Sequence, residues 1–468
     1  MGGQPLERLR HYLRGLSPAA QALLIAELER AASRGEEVPG GDLVLQEVRR
    51  AMRDNSSTAP RHERAARLFF RAVEPFVVDD GSGRKHPGRI ARSSLGLLWA
   101  WISRDLVPSG VEAFAQAVEI ACSAERTAAC EQLVCGFQDR VADHIQGALA
   151  AAASDETARR RLVAQLGEKT GLDDLSDLGA LLKARDAFAL LTERLPSHIH
   201  NLADAQLDGI KALLDSPAAR RDGMLVYALV LVMGRLAAPW QLVRLATKSA
   251  RTDAAERAAA TPYAAAVSIV LAEIERMADT LKTELRRGSS RPVTSLIKSI
   301  HEAVRGLRTE LDLSVDSPWS RALATVRGEV SSVLKAEIES MPGRVRRLLR
   351  PRPAREIASG AVLDAGDVAD TEALIELVGV CGTYAGELAV SETSTRCLSG
   401  LQHYLDTGIE PLLEGLRNAG AQDRPFRQSQ VEAAVRFCAK VFARDYASLL
   451  TRAAEIAGRN PRKAVARA

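Results

Sequence analysis

Period-two alternation is almost absent from this sequence, aromatic residues make up only 4% of it, and no apolar run is long enough to cross a bilayer. The first absence argues against sandwiches and barrels, whose strands alternate apolar and polar positions. The longest apolar run, MLVYALVLVMG at Met224–Gly234, covers 11 residues before Arg235. A spanning helix needs about 20, so a buried central helix is expected there. The N-terminal MGGQPLERLR lacks the apolar core of a signal peptide, and Leu6 stands where a myristoylation signal needs Ser or Thr. A cytoplasmic location is the expectation by elimination.

Cysteine is equally sparse. Cys122, Cys130, Cys135, Cys381, Cys397 and Cys438 contain no Cys-x-x-Cys pair and no even, close spacing. That pattern speaks against a disulfide framework or a zinc ribbon, and predicts reduced, mostly buried thiols. Lysine supplies ten of the 63 basic residues, and alanine is abundant. This bias reads as a GC-rich bacterial genome more readily than as phosphate recognition by arginine. Against 59 acidic residues the net charge is only +4, so no whole-molecule field would draw the chain onto nucleic acid or anionic lipid. Any polyanion contact must be local.

What the sequence does contain is helix punctuation. Ser17-Pro18, Thr261-Pro262 and Ser317-Pro318 each place a hydroxyl before a proline, the pairing expected at a helix start. After Thr261, apolar residues fall at Val267, Val270, Ile274, Met277, Leu281 and Leu285, until Gly288 supplies a stop. A helix of about 39 Å follows at 1.5 Å per residue. A second carries Val293, Leu296, Ile300, Val304, Leu307 and Leu311, and a third Trp319, Leu323, Val326, Val330, Val333 and Ile338. Short links predict antiparallel neighbours, either a bundle of long arms or a short coiled coil. One final helix is expected through Val431, Val435, Cys438, Phe442, Leu449 and Ala453. No solenoid period is present.

At 468 residues and 46% apolar, the chain is too long for one core. The fold class expected is all-α, with several packed helical subdomains and long antiparallel central helices. Breaker-rich stretches divide it into an N-terminal helical segment (1–58), an aromatic-rich helical domain (59–222), a long-helix bundle (223–349) and a C-terminal helical domain (350–468). The second segment holds Phe69, Phe70, Phe76, Trp99, Trp101, Phe114 and Phe137, which predicts a core of its own.

Three stretches could carry chemistry. VVDDGSGRKHPGRI, Val77–Ile90, spaces Gly83 and Gly88 as a nucleotide-binding loop does, but Arg89 and Ile90 stand where Lys and Ser or Thr are needed. Read as a calcium loop from Asp79, it puts Gly81, Gly83 and Ile90 where oxygen ligands belong. A generic anion contact by Arg84, Lys85 and Arg89, with His86 and Arg92 nearby and a helix starting near Ser93 or Ser94, survives. It competes with a plain connector in which Asp79 and Asp80 pair with the loop's own arginines.

The second stretch, SMPGRVRRLLRPRPAR at Ser340–Arg355, has six arginines and no acid. Val345, Leu348 and Leu349 share one helical face, and Arg344, Arg346, Arg347 and Arg350 the other. Glu356, Asp364, Asp367, Asp370, Glu372 and Glu376 follow, so self-neutralisation within the fold is the leading expectation, with a polyanion contact as the alternative. The tail cations Arg459, Arg462, Lys463 and Arg467 read as a soluble end. In the third stretch, His198, His200, Asp204 and Asp208 offer donors compatible with metal ligation. A helix capped by Ser197 or Asn201 accounts for them better, and no metal or other cofactor is expected.

No Gly-x-Ser-x-Gly elbow, His-Glu-x-x-His or Cys adjacent to a His is present. The leading functional expectation is therefore a non-catalytic helical interaction or scaffold protein of a bacterial cytoplasm, with unknown protein partners. A regulator binding nucleic acid or another polyanion through its arginines is the first alternative, and an enzyme with a helical active site the second.

Overall fold

The computed structural model describes residues 61–79, 83–123, 127–167, 170–216, 223–288, 290–313, 316–442 and 444–459, with scattered positions between Leu13 and Val48. The Ser17-Pro18 helix start, Asp80, Gly81 and the tail beyond Arg459 lie outside the described residues. The fold is all-α: packed helices account for nearly all of it, and the one sheet among the described residues has two strands of two residues each. The chain divides into two compact units, Met1–Arg251 with Ala259–Ile269, and Thr252–Ala258 with Val270–Ala468. This division falls within the 223–349 segment drawn from the breaker residues.

In the first unit, α1 (Arg61–Phe70) buries Ala65, Phe69 and Phe70, and a 3-10 turn (Arg71–Phe76) holding Pro75 follows. Strand β1 (Val77–Val78) pairs in parallel with β2 (Ile90–Ala91), tying together the ends of the loop between them. Next come α2 (Arg92–Trp101), a π-helical turn (Ile102–Leu106), α3 (Pro108–Ser123) and α4 (Thr127–Ser154). Helix α5 (Glu156–Leu166) has complete punctuation: the Asp155 carboxylate accepts the N–H groups of Thr157 and Ala158, and Gly167 ends it at φ 74°. α6 (Gly171–Arg194), α7 (Asp204–Leu214) and α8 (Met224–Met233) complete the core. The apolar run expected to be buried is α8, with Tyr227 through Met233 inside.

The aromatic residues pack together in the first unit, and Phe76 meets Tyr227 of α8, beyond the 59–222 segment. Phe114 and Phe137 stack with centroids 4.2 Å apart, and Phe69 meets Phe137 nearly edge-on at 5.6 Å. Helix α6 then approaches α4 so closely that a Cβ at Gly179 would lie 2.8 Å from Ile145 Cγ2. Only glycine fits that crossing without a shift. The short helices α9 (Arg244–Ala250) and α10 (Ala255–Ala259) follow.

Helix α11 (Ala264–Arg287) gives its first turns to the first unit and the rest, from Val270, to the second. It ends at Gly288, φ 73°, as the sequence predicts. α12 (Ser290–Glu310) buries Val293, Ile297, Ile300, Val304 and Leu307. α13 (Pro318–Leu349) starts at a capping box between Ser317 and Ser320 with Pro318 at the first position. Its partners in packing are α14 (Ala365–Thr383) and α16 (Ser391–Arg417), which the four-residue α15 (Ala385–Leu388) connects.

The expected single final helix is two. α17 (Arg424–Val441) stops at Phe442, whose backbone is extended, and α18 (Arg444–Arg459) packs back on α16 and α17. Apolar spacing runs through the break because both helices bury against the same neighbours. The register changes there: Leu450 and Ala457 are the buried positions of α18, and Leu449 is exposed. Among the described residues no helix is long and apolar enough to cross a membrane.

Candidate functional site

The loop between β1 and β2 directs Lys85 inward. Lys85 Nζ hydrogen-bonds Asp174 on α6, lies 2.6 Å from Asp177 Oδ2, and donates to the Arg89 carbonyl at 2.6 Å. The Asp177 contact is an ion pair without hydrogen-bond alignment. Asp174 is 1% exposed and also accepts the Ser94 hydroxyl at 2.5 Å. The buried Tyr227 hydroxyl donates to Asp177 at 2.7 Å. Burial raises the Asp177 carboxyl above the usual range even with the Lys85 ammonium beside it. Burial and the Asp177 charge raise the Tyr227 phenol. The anion that Lys85 binds is thus the protein's own pair of carboxylates.

The rest of the loop is similarly tied. Arg89 donates to the Pro75 carbonyl at 3.1 Å, and His86 is buried. Arg92 bridges Asp79 and Glu74 at 2.6 Å each, which raises its guanidinium. Arg84 is exposed. The helix expected near Ser93 or Ser94 starts at Arg92, and neither serine caps it.

The arginine segment presents a different surface. Val345, Leu348 and Leu349 are buried on the last turns of α13, and Arg344, Arg346, Arg347 and Arg350 are exposed, as the helical wheel predicts. Only one ion pair joins it to the acidic stretch among the described residues, Arg347 to Asp367 at 3.5 Å between exposed partners. Two of the other carboxylates turn elsewhere: Glu372 holds Arg436, and both Glu372 and Glu376 hold Lys440. Those pairs tie α14 to α17. Arg346 lies over the Tyr404 ring at 5.9 Å and Arg352 over Phe426 at 5.2 Å.

This segment is also fixed in place. Buried Gln430 donates to the carbonyls of Leu348 and Arg350 at 2.9 and 3.1 Å, and Arg427, itself paired with Asp423 at 2.6 Å, donates to the Arg352 carbonyl at 3.3 Å. Gln430→Leu removes two of these bonds while leaving their carbonyls in place. We expect it to lower stability by about 1–3 kcal/mol in chemical denaturation, with a fall in hydrogen-exchange protection at the end of α13.

The histidine stretch does not assemble as a helical face. Helix α7 begins at Asp204 with Ala203 as a cap lacking side-chain bonds, so neither Ser197 nor Asn201 caps it. The physical reason is that Ile199 is held extended by exchanging backbone hydrogen bonds with Arg235 and Ala237. His198 and His200 meet ring to ring at 4.3 Å, and Asp204 pairs with Arg244 and Lys248 at 3.3 Å. Among the described residues no cluster of three or more His, Cys, Asp or Glu side chains could hold a metal.

One feature has no counterpart in the sequence. A groove of about 1010 Å³ opens in the first unit between the 3-10 turn, α3, α4 and α6, floored by Phe76, Val134, Phe188 and Leu231. Its walls include Arg71, Arg185 and three cysteines, Cys122, Cys130 and Cys135. These three are exposed or half-buried, whereas Cys381, Cys397 and Cys438 are buried. The expectation of mostly buried thiols therefore holds for the second unit alone. Cys122 and Cys130 lie where α3 ends and α4 begins, and Cys135 lies one to two turns further along α4.

Arg185 is the groove's fixed charge. Its guanidinium donates to Asp139 at 2.5 and 3.0 Å and to the Leu182 carbonyl at 3.2 Å. The guanidinium holds the Asp139 carboxyl below the usual carboxylate range. A depressed carboxyl contributes stability above its unfolded value, near 4, and loses it as pH falls through the folded value. Arg185→Met should therefore be less stable than wild type at neutral pH. The gap should narrow below about pH 4, read from denaturation midpoints against pH.

Comparison with family models, curated proteins and solved structures finds no match to this chain.

Proposed function

We propose that the chain is a non-catalytic helical interaction protein whose second unit offers the arginine face at Arg344–Arg355 to an acidic segment of a partner protein. The observation carrying this reading is the direction of the neighbouring carboxylates. Glu372 and Glu376 are held by Arg436 and Lys440 on α17, and of the arginines only Arg347 meets one of the acids that follow, so Arg344, Arg346 and Arg350 face solvent. Cations at a helix C-terminus also favour the helix itself, by roughly 0.3–1 kcal/mol each. That effect covers the last turn only and gives no role to Arg352 and Arg355, which lie beyond it.

A nucleic-acid backbone is the second reading, because guanidinium groups also match phosphate geometry. Base stacking gives it less support: Tyr404 and Phe426, the rings beneath the patch, already carry Arg346 and Arg352. The two readings separate in one experiment at near-physiological salt. Fluorescent poly-glutamate should bind the protein by anisotropy, and duplex DNA and single-stranded RNA should give no mobility shift at the same concentration. Nucleic acid binding without poly-glutamate binding would favour the second reading, and binding of neither would overturn both.

A further inference from the structure

We propose that Cys122 and Cys130 form a redox-active dithiol that low-molecular-weight disulfides convert into an intramolecular disulfide. Cys122 lies in the last turn of α3 and Cys130 in the first turn of α4, and their sulfurs are 3.8 Å apart. An S–S bond is about 2.05 Å long, so the two sulfurs, both on partly uncovered side chains, already lie within about 2 Å of bonding distance. Two cysteines of the second unit supply the contrast. Cys381 and Cys438 are fully buried, and burial pushes each thiol up to about 12. They are inert toward small disulfides while the fold is intact.

The order of steps follows from exposure. Exposed Cys122, as thiolate, attacks one sulfur of the small disulfide; that S–S bond breaks, and one small thiolate leaves and takes up a proton. Cys130 then gives up its proton, attacks the Cys122 sulfur of the mixed disulfide and expels the second small thiolate, which takes up a proton. Two protein thiols are oxidised to one disulfide, and one small disulfide is reduced to two thiols. Burial, together with the Cys122 sulfur and the Glu131 charge, raises the Cys130 thiol to about 11, against the pull of Arg71. Little of Cys130 is thiolate at neutral pH, so its attack quickens as pH rises. Both sulfurs line the groove of the first unit, so the bond forms in its wall.

The test uses the full-length reduced chain and oxidised glutathione, followed by acid quenching, alkylation and peptide mapping. The expected wild-type product has lost two of its six thiols, is lighter than the reduced chain by two hydrogen atoms, and joins the Cys122 peptide to the Cys130 peptide. Cys130→Ser should stop at a stable glutathione adduct on Cys122, and Cys135→Ser should behave as wild type. Unfolding midpoints of both variants establish that they are folded. Six remaining thiols, a wild-type product arrested as the glutathione adduct, or a bond through Cys135 would each overturn the proposal.

Discussion

Lys85→Met should destabilise the first unit by about 3–5 kcal/mol, the cost of leaving a buried charge without its partner. Asp174 is 1% exposed and is held by the Lys85 ammonium and the Ser94 hydroxyl; Asp177 beside it is largely buried too. Without the ammonium, two carboxylates share a pocket with a single phenol and a single hydroxyl. Burial already raises the Asp177 carboxyl, and loss of the ammonium that opposes this raises it further, so the variant should gain stability as pH falls and Asp177 protonates. Lys85→Met/Asp174→Asn, which removes one of the bare charges, should recover part of the loss. Urea denaturation at neutral and acidic pH measures both effects. Wild-type stability in Lys85→Met would show that the ammonium contributes nothing inside and remains available to an outside anion.

The second large effect belongs to the aromatic core. Phe137 is 1% exposed, stacks on Phe114 at 4.2 Å, and meets Phe69 at 5.6 Å. Phe137→Ala opens a cavity beside both rings at once, and we expect a loss of about 3–5 kcal/mol. Phe137→Leu keeps most of the volume and should cost less, the remainder reflecting ring–ring geometry worth about 0.5–1.5 kcal/mol per pair. Chemical denaturation with an unchanged slope checks this. The loss should also reach Gln138, which donates to the Phe69 carbonyl at 2.7 Å on the same side of α4.

Features set by near neighbours in the chain were readable from the sequence. Ser317-Pro318 starts a helix through a capping box, Gly288 ends one, and the wheel around Val345, Leu348 and Leu349 places four arginines outward. Each rests on backbone geometry or on the 3.6-residue period, both local. Partners distant in sequence were not readable. Lys85 and Asp174 are 89 residues apart, and Glu372 and Arg436 are 64 apart. Local charge pattern paired the arginines with the acids that follow them, whereas the packing of α14 on α17 gives two of those acids to other cations. The groove left no local trace because its floor residues come from the 3-10 turn, α4, α6 and α8. The proximity of Cys122 and Cys130 depends on how one helix follows another, which spacing alone does not reveal.

The central claim is that the arginine face of the second unit is a contact surface. The most direct measurement is the affinity of labelled poly-glutamate for wild type and for the quadruple variant Arg344→Glu, Arg346→Glu, Arg347→Glu and Arg350→Glu, across a salt series. Binding by wild type that weakens steadily with salt, and its loss in a variant that keeps the wild-type unfolding midpoint, is the predicted result. Equal affinity of the two proteins, or wild-type binding indifferent to salt, would contradict it.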